Sequence, residues 1–270
     1  MSNGIITYAD SEQHVRQAVL LSITAKKNSQ LNTSIVVPRQ DLVDKYQQYF
    51  DNVHVIEKVD SIERGLIDGL TASLYDRTLF LYSDTLILSD ISNIFQWLDF
   101  HDIVLNKKLL DFKGSKITRP LYEQRKIIVR NNLPDVWTNA ILYKKTNDFM
   151  ELTKLTHRIV TFWRQFKEQF LKEYSIDDKL TLKFNVAFSL ALKLSDVFYT
   201  TGLELTTLSK QEENTASMSW ANLEWFKFLN SWILDNSTIK VENYIQSGIW
   251  HYTKNWVNED IYNRILAVYA

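Results

Sequence analysis

Along the first hundred residues, short continuous apolar runs alternate with stretches whose apolar positions recur every three or four residues. Runs of the first kind at residues 4–8, 34–37, 53–57 and 78–81 predict strands covered on both faces. Stretches of the second kind at residues 11–27, 40–50 and 62–73 predict helices, with Val15, Ala18, Val19 and Ser22 on one face of the first. Pro38 ends the second strand, because proline cannot donate to a ladder. Further strands are predicted at 103–105 and 137–144. The alternation predicts an α/β fold: a Rossmann-like, mostly parallel sheet flanked by helices.

Beyond residue 146 the period is helical. Phe149, Leu152, Leu155, Ile159, Phe162, Trp163, Phe166 and Phe170 form one stripe of a helix predicted over 147–174, and such a stripe reads as a packing face. Residues 184–194 predict a second apolar helix, and 209–219 a polar loop. The remainder, with Trp220, Trp225, Phe226, Phe228, Trp232, Tyr244, Trp250, Tyr252 and Trp256, is expected to be a helical, aromatic-rich C-terminal part. No internal repeat or linker divides the chain.

Composition narrows the function classes. The 270 residues are 45% hydrophobic, enough for a sizeable core, and Lys+Arg 31 against Asp+Glu 32 favours no partner by net charge. Zero cysteines exclude disulfides and thiolate metal sites. No glycine-rich dinucleotide fingerprint follows the first strand, which argues against a nicotinamide or flavin enzyme. With no apolar run near the roughly 18 residues of a membrane span and no signal-peptide pattern, a soluble, cytoplasmic protein is expected.

Two local features carry candidate chemistry. Asp84, at the carboxyl end of the fourth strand, stands where open α/β sheets bind ligands, although a plain turn residue is the competing reading. Residues 107–130 hold Lys107, Lys108, Lys113, Lys116, Arg119, Arg125, Lys126 and Arg130 against Asp111 and Glu123, a net charge of plus six. That concentration reads either as a solvated face or as the contact for an acidic partner.

Residues 75–95 resemble the signature of GT-A glycosyltransferases, especially the glycogenin-like family eight. Its pattern runs roughly Tyr-Asp-x-x-(apolar strand)-Asp-x-Asp-Thr-(apolar)-Asp-(Ile/Leu)-x-x-(Leu/Ile)-Phe. Tyr75, Asp76, Asp84, Thr85, Asp90, Ile91, Ile94 and Phe95 match in register, while Tyr82 stands at the first Asp. The strand at 137–144 is similar to the family's Asn-(Ser/Ala)-Gly segment through Thr138, Asn139 and Ala140. Residues 249–256, IWHYTKNW, are similar to its closing His-(apolar)-x-Gly-x-x-Lys-Pro-Trp through His251, Lys254 and Trp256, with shorter spacing and without the Gly and Pro.

The resemblance, from about Gly4 to Trp256, implies one GT-A-like domain over 1–270, with a nucleotide-sugar-binding half at 1–106 and an acceptor-binding half at 107–270. It implies retaining transfer from a UDP-sugar, with a divalent cation, manganese or magnesium, held by Asp84 and His251 and weakened because Tyr82 replaces an acid. Asn185 falls at the family's acidic residue beside the reacting sugar, with Asp177 and Asp178 just upstream; Asp84, Asn185 and Asp178 are therefore the catalytic candidates. Thr7, Tyr8, Asp10, Arg64, Arg77, Ser83 and Lys254 are donor-binding candidates, with Tyr8 as a stacking surface for the base. The eight basic residues of 107–130 are the acceptor-binding candidates. Few Gly and Pro, no Cys and the ending NYIQSGIWHYTKNW also resemble glycosyltransferase-like proteins of tailed bacteriophages. This makes DNA carrying a hydroxymethyl pyrimidine, or a sugar already on one, the first expected acceptor, and host cytoplasm the expected location. A glycan or lipopolysaccharide acceptor, and a catalytically silent domain that binds a nucleotide sugar or DNA, are the competing readings.

Overall fold

A computed structural model describes residues 1–56, 59–116, 123–170, 184–207, 233–235, 238–241, 243–252 and 259–270. Strands β1 (Asn3–Tyr8), β2 (Asn32–Val37), β3 (Asn52–Val55) and β4 (Arg77–Leu81) alternate with helices α1 (Glu12–Ser29) and α2 (Ile62–Ala72). Then come β5 (Thr85–Ile87), β6 (Ile103–Leu110), α3 (Glu123–Arg130), β7 (Trp137–Lys144), α4 (Asn147–Thr161), α5 (Trp163–Phe170), α6 (Phe184–Leu194) and β8 (Thr200–Thr207). β9 (Ile233–Asp235), β10 (Thr238–Val241), β11 (Tyr244–Ile245), β12 (Ile249–His251) and α7 (Glu259–Tyr269) follow.

Nine strands make one sheet in the order β3-β2-β1-β4-β7-β6-β8-β12-β5, and β11-β10-β9 make a small antiparallel one. β1 to β4 are mutually parallel where they pair, as are β6 with β8 and β8 with β12. β7 is antiparallel to both β4 and β6, and β5 to β12. β6 crosses residue 106, so the expected division of the chain at 106/107 falls inside a strand.

The sheet is buried on both faces because side chains alternate along each strand. Ile6, Tyr8, Phe80 and Tyr143 face α2, α4 and α6 together with Leu66, Phe149 and Phe188. Ile5, Leu79 and Leu81 join Phe95, Leu142 and Leu205, while Val15, Val19, Trp250, Tyr252 and Ile265 form a third cluster around α1 and α7. α1 starts where the Ser11 hydroxyl accepts the His14 N–H at 3.3 Å, and ends at Gln30, whose φ of 54° is left-handed.

Three expectations change. Residues 40–50 are two 3-10 segments, Gln40–Leu42 and Asp44–Tyr49, closed by bonds such as Val43 N–H to Gln40 O (3.0 Å) and Phe50 N–H to Gln47 O (3.0 Å). Short connectors adopt that tighter winding. The helix expected over 147–174 breaks at Phe162 (φ −111°, ψ 34°), which shifts the phase of the stripe; Phe149, Leu152 and Ile159 are buried but Phe162 and Phe170 remain exposed, and 171–174 lie outside the described residues. The described C-terminal part contains strands as well as a helix. The loop expected at 209–219 and Trp220, Trp225, Phe226, Phe228, Trp232 and Trp256 lie outside the described residues.

Candidate functional site

The site grows from the way β4 leaves the sheet. Inside the strand Leu81 is paired with Ala140 of β7, and one residue on, the Tyr82 N–H still donates to Asn139 O at 3.2 Å. Asp84 then occupies the turn before β5. Its backbone carbonyl accepts the Tyr252 N–H at 3.0 Å, and Thr85 is paired with His251. This strand pairing brings the Asp84 and His251 side chains together across the long chain separation: Asp84 Oδ1 lies 3.2 Å from His251 Nε2. Both are mostly withdrawn from solvent, at 20% and 13% side-chain exposure, yet neither is sealed.

A polar chain continues sideways. The Asn139 amide Nδ2 is 3.2 Å from the same His251 Nε2. Its neighbour Thr138 donates its N–H to Asn185 Oδ1 at 3.2 Å, and its hydroxyl donates to that oxygen as well. The Tyr82 hydroxyl stands 3.2 Å from Thr138 Oγ1. Burial holds the Tyr82 phenol well above its ordinary pKa, so it is a neutral hydrogen-bond donor. Asp84, Asn185 and His251, nominated from three distant stretches, thus meet at the carboxyl end of the sheet. Thr138 and Asn139 link them. Their segment was visible in the sequence, but their place between Asp84 and Asn185 depends on strand register.

The other candidates are distributed less simply. Thr7 is fully buried and Tyr8 is 6% exposed at the end of β1. The Tyr8 ring lies against Gly65 of α2 instead of standing free to stack on a base, because only a residue without a Cβ fits there. Burial pushes the Tyr8 hydroxyl up, with Asp10 and Asp68 adding to it. Asp10 is paired with His14 Nδ1. Arg64, in the first turn of α2, pairs with Asp60 at 2.6 Å. Ser83 is 6% exposed beside Asp84. Arg77 does not join them: it begins β4, at the opposite end of the strand, where it pairs with Asp99 and donates to Phe95 O at 3.2 Å.

Asp177, Asp178, Arg119 and Lys254 lie outside the described residues, as do the side chains of Lys107, Arg125 and Lys126. Lys108 is exposed and pairs with Glu204 at 2.9 Å. The Lys113 ammonium sits 5.5 Å from the ring centres of Phe112 and Tyr244. Lys116 and Arg130 are exposed.

The donor set fits a hard divalent cation. Two ligands at right angles, each about 2.0–2.3 Å from a metal, stand about 3 Å apart, close to the Asp84–His251 separation. Among the described residues no three His, Cys, Asp or Glu side chains converge on one point. Asp84 and His251 are thus two donors of the kind that would hold such an ion.

No protein-family model and no curated protein matches the sequence. Solved structures do. The galactosyltransferase LgtC in complex with donor and acceptor sugar analogs is 12% identical, with 98% of this chain and 94% of that one covered at a TM-score of 0.50. Mouse xyloside xylosyltransferase 1, apo form, is 10% identical over 96% of this chain and 100% of that one, with a TM-score of 0.49. The glycosyltransferase GlyE of Streptococcus pneumoniae is 12% identical over 96% and 56%, at 0.44. The first likeness carries the fold assignment: this is a mixed α/β chain with the architecture of GT-A glycosyltransferases.

Proposed function

We propose that the chain is a glycosyltransferase that moves a sugar from a UDP-sugar to an acceptor hydroxyl with retention of configuration. The observation that carries the reading is the meeting of Asp84, His251 and Asn185 at the carboxyl end of the sheet. Open α/β sheets bind ligands at that edge. Asp84 and His251 would hold a divalent cation against the donor diphosphate, and the cation would neutralise charge building on the leaving group. Asn185 is an amide and neither takes nor gives a proton at neutral pH. Its oxygen is fixed by the Thr138 N–H and hydroxyl, so it positions rather than acts as a base. In this scheme the bond from the anomeric carbon to the diphosphate oxygen breaks and the bond to the acceptor oxygen forms. The acceptor proton goes to the departing diphosphate.

For the acceptor we propose DNA bearing a hydroxymethyl pyrimidine or its sugar, on the strength of the basic segment 107–130. Phosphate contacts by its Lys and Arg side chains would make binding fall as salt rises. A glycan or lipopolysaccharide acceptor is the second reading, favoured by the Lys108–Glu204 pair, which leaves less charge for phosphates. A silent nucleotide-sugar or DNA-binding domain is the third, favoured by Tyr82 and Asn185 at two positions where the resembled family has acids. Among the described residues no helix is long and apolar enough to cross a membrane.

The test is incubation with a panel of nucleotide sugars and with hydroxymethylcytosine DNA or free saccharides, read by mass spectrometry of nucleosides and glycans. Transfer to DNA that is lost in Asp84→Ala, and weakened by charge reversal at Lys113 and Lys116 without loss of slow donor hydrolysis, supports the first acceptor. Transfer only to saccharides selects the second. Neither transfer nor donor hydrolysis with any donor refutes the enzymatic reading.

A further inference from the structure

We infer that Asn139 is a third protein ligand of the cation proposed at Asp84 and His251, its carboxamide oxygen supplying the donor that Tyr82 withholds. The inference rests on that metal-assisted reading and adds a residue to it.

Three observations carry it. The first is register. β4 and β7 are antiparallel with Leu81 opposite Ala140, and the Tyr82 N–H donates to Asn139 O, so Asn139 is the residue directly across from position 82. Residues directly opposite in an antiparallel pair present their side chains on the same face, with Cβ atoms roughly 4.5–5.5 Å apart. Asn139 therefore lies next to position 82 on the neighbouring strand, and its amide reaches His251 Nε2 at 3.2 Å.

The second is the side chain at 82 itself. The Tyr82 hydroxyl is turned to Thr138 Oγ1 (3.2 Å), and its ring meets Phe80 edge-on at 6.0 Å between centres. A neutral phenol held in this way is a poor ligand for a hard cation.

The third is the crowding of one nitrogen. His251 Nε2 lies 3.2 Å from Asp84 Oδ1 and 3.2 Å from the Asn139 amide. In any protonation state that nitrogen offers a single function, either one N–H or one lone pair. If it carries the proton, Asp84 takes it and the Asn139 N–H₂ faces another donor. If it carries the lone pair, Asn139 donates to it and the Asp84 oxygen faces a lone pair. A half-turn of the carboxamide turns its oxygen to the same point as the Asp84 oxygen, where the two can share one Nε2 N–H. In that orientation a cation could take the proton's place, because carboxylate, imidazole and carboxamide oxygen would then all direct lone pairs at one positive centre. Both 3.2 Å separations match neighbouring ligands of an octahedral ion.

The experiment uses the full chain and Mn²⁺ alone, followed by the electron paramagnetic resonance signal of the free ion. Asn139→Ala is expected to weaken Mn²⁺ binding by about 10-fold or more, and Asn139→Asp to tighten it, since a carboxylate replaces a neutral oxygen. Electron–nuclear double resonance on protein carrying ¹³C at the asparagine carboxamide carbon should show a coupling to bound Mn²⁺ that disappears in Asn139→Ser. A residue that merely steadied His251 would give no such coupling. Mn²⁺ affinity unchanged in Asn139→Ala but lost in Asp84→Ala overturns the assignment of Asn139 and leaves the Asp84–His251 site standing. No uptake by the parent chain, or uptake indifferent to Asp84→Ala as well, overturns the metal site together with the inference. Absence of the ¹³C coupling overturns the inference even if the alanine variant fails to fold.

Discussion

Gly65→Ala is the sharpest packing test near the site, because two opposing effects of known size compete at one atom. In an ordinary helix interior, alanine is favoured over glycine by about 1 kcal/mol. Here the new Cβ would lie 2.1 Å from Tyr8 Cζ, 2.3 Å from its hydroxyl oxygen and 2.5 Å from Cε1. Carbon contacts are favourable at about 3.5–4.0 Å, so the ring or α2 must retreat by more than an ångström. The Tyr8 ring is 6% exposed and has little free space to retreat into. Overpacking of this kind costs about 1–3 kcal/mol, rising with overlap, and outweighs the gain in helix propensity. The expected result of thermal denaturation is a lower Tm, at roughly 2–4 °C per kcal/mol for a chain of this size. The decisive control is the double variant Gly65→Ala/Tyr8→Leu, since leucine lacks the three atoms in conflict. The two substitutions should couple favourably by about 1 kcal/mol or more. A Tm that rises in Gly65→Ala, or a double variant that is simply additive, would show that the ring is not held under α2.

Two further predictions concern polar groups withdrawn from solvent away from Asp84 and His251. Burial raises the Asp68 pKa, with His157 and Arg64 opposing more weakly. A carboxyl raised on folding contributes stability that is present below its unfolded pKa of about 3.9 and is lost as pH climbs through the folded value. Asp68→Asn should therefore raise Tm at pH 7.5 and do little at pH 3.5, and equal shifts at both would refute the burial argument. Asn106 is fully buried at a bulge in β6, and among the described residues neither Oδ1 nor Nδ2 has a hydrogen-bond partner. Asn106→Leu should stabilise by about 1–3 kcal/mol, the cost of one such group left unsatisfied, so a drop in Tm would count against it.

Strands β1, β2 and β4 were readable because each is a short apolar run between turn residues, and the mostly parallel α/β sheet followed from their alternation with helices. β8 was not read. Its sequence, TTGLELTT, has only Leu203 and Leu205 as buried apolar side chains, and four threonines, Gly202 and Glu204 supply the rest of the strand. α7 carried a legible stripe in Ile261, Tyr262, Ile265 and Tyr269, which the abundance of aromatics before it obscured. Asp84, Asn185 and His251 could be nominated from motifs, because a motif records residue type and order. Asn139 gains its place opposite Tyr82 only from the register of β4 against β7, which depends on long-range pairing that no local pattern encodes. The packing of the Tyr8 ring edge against Gly65 was hidden for a similar reason, since Gly65 belongs to another element.

The two positions where acids are missing are coupled, and this sets the last prediction. The Thr138 hydroxyl has one proton, and it is given to Asn185 Oδ1; the Tyr82 hydroxyl must then donate to Thr138 Oγ1. The order Tyr82 to Thr138 to Asn185 is directional, and each member suits the next. An acid at position 82 is too short to reach where the phenol hydroxyl reaches, and leaves Thr138 Oγ1 without that donor. Tyr82→Asp is therefore expected to do two things at once. Mn²⁺ should bind more tightly, because a second carboxylate would lie beside Asp84. Stability should fall by about 1–3 kcal/mol, because the phenol's contact with Phe80 and its hydrogen bond to Thr138 are both lost. Adding Tyr82→Asp to Asn139→Ala should restore most of the metal affinity if positions 82 and 139 serve the same coordination place. Metal titrations that are the same in Tyr82→Asp and the parent would mean that position 82 does not face the cation, and the register on which the site reading depends would be wrong.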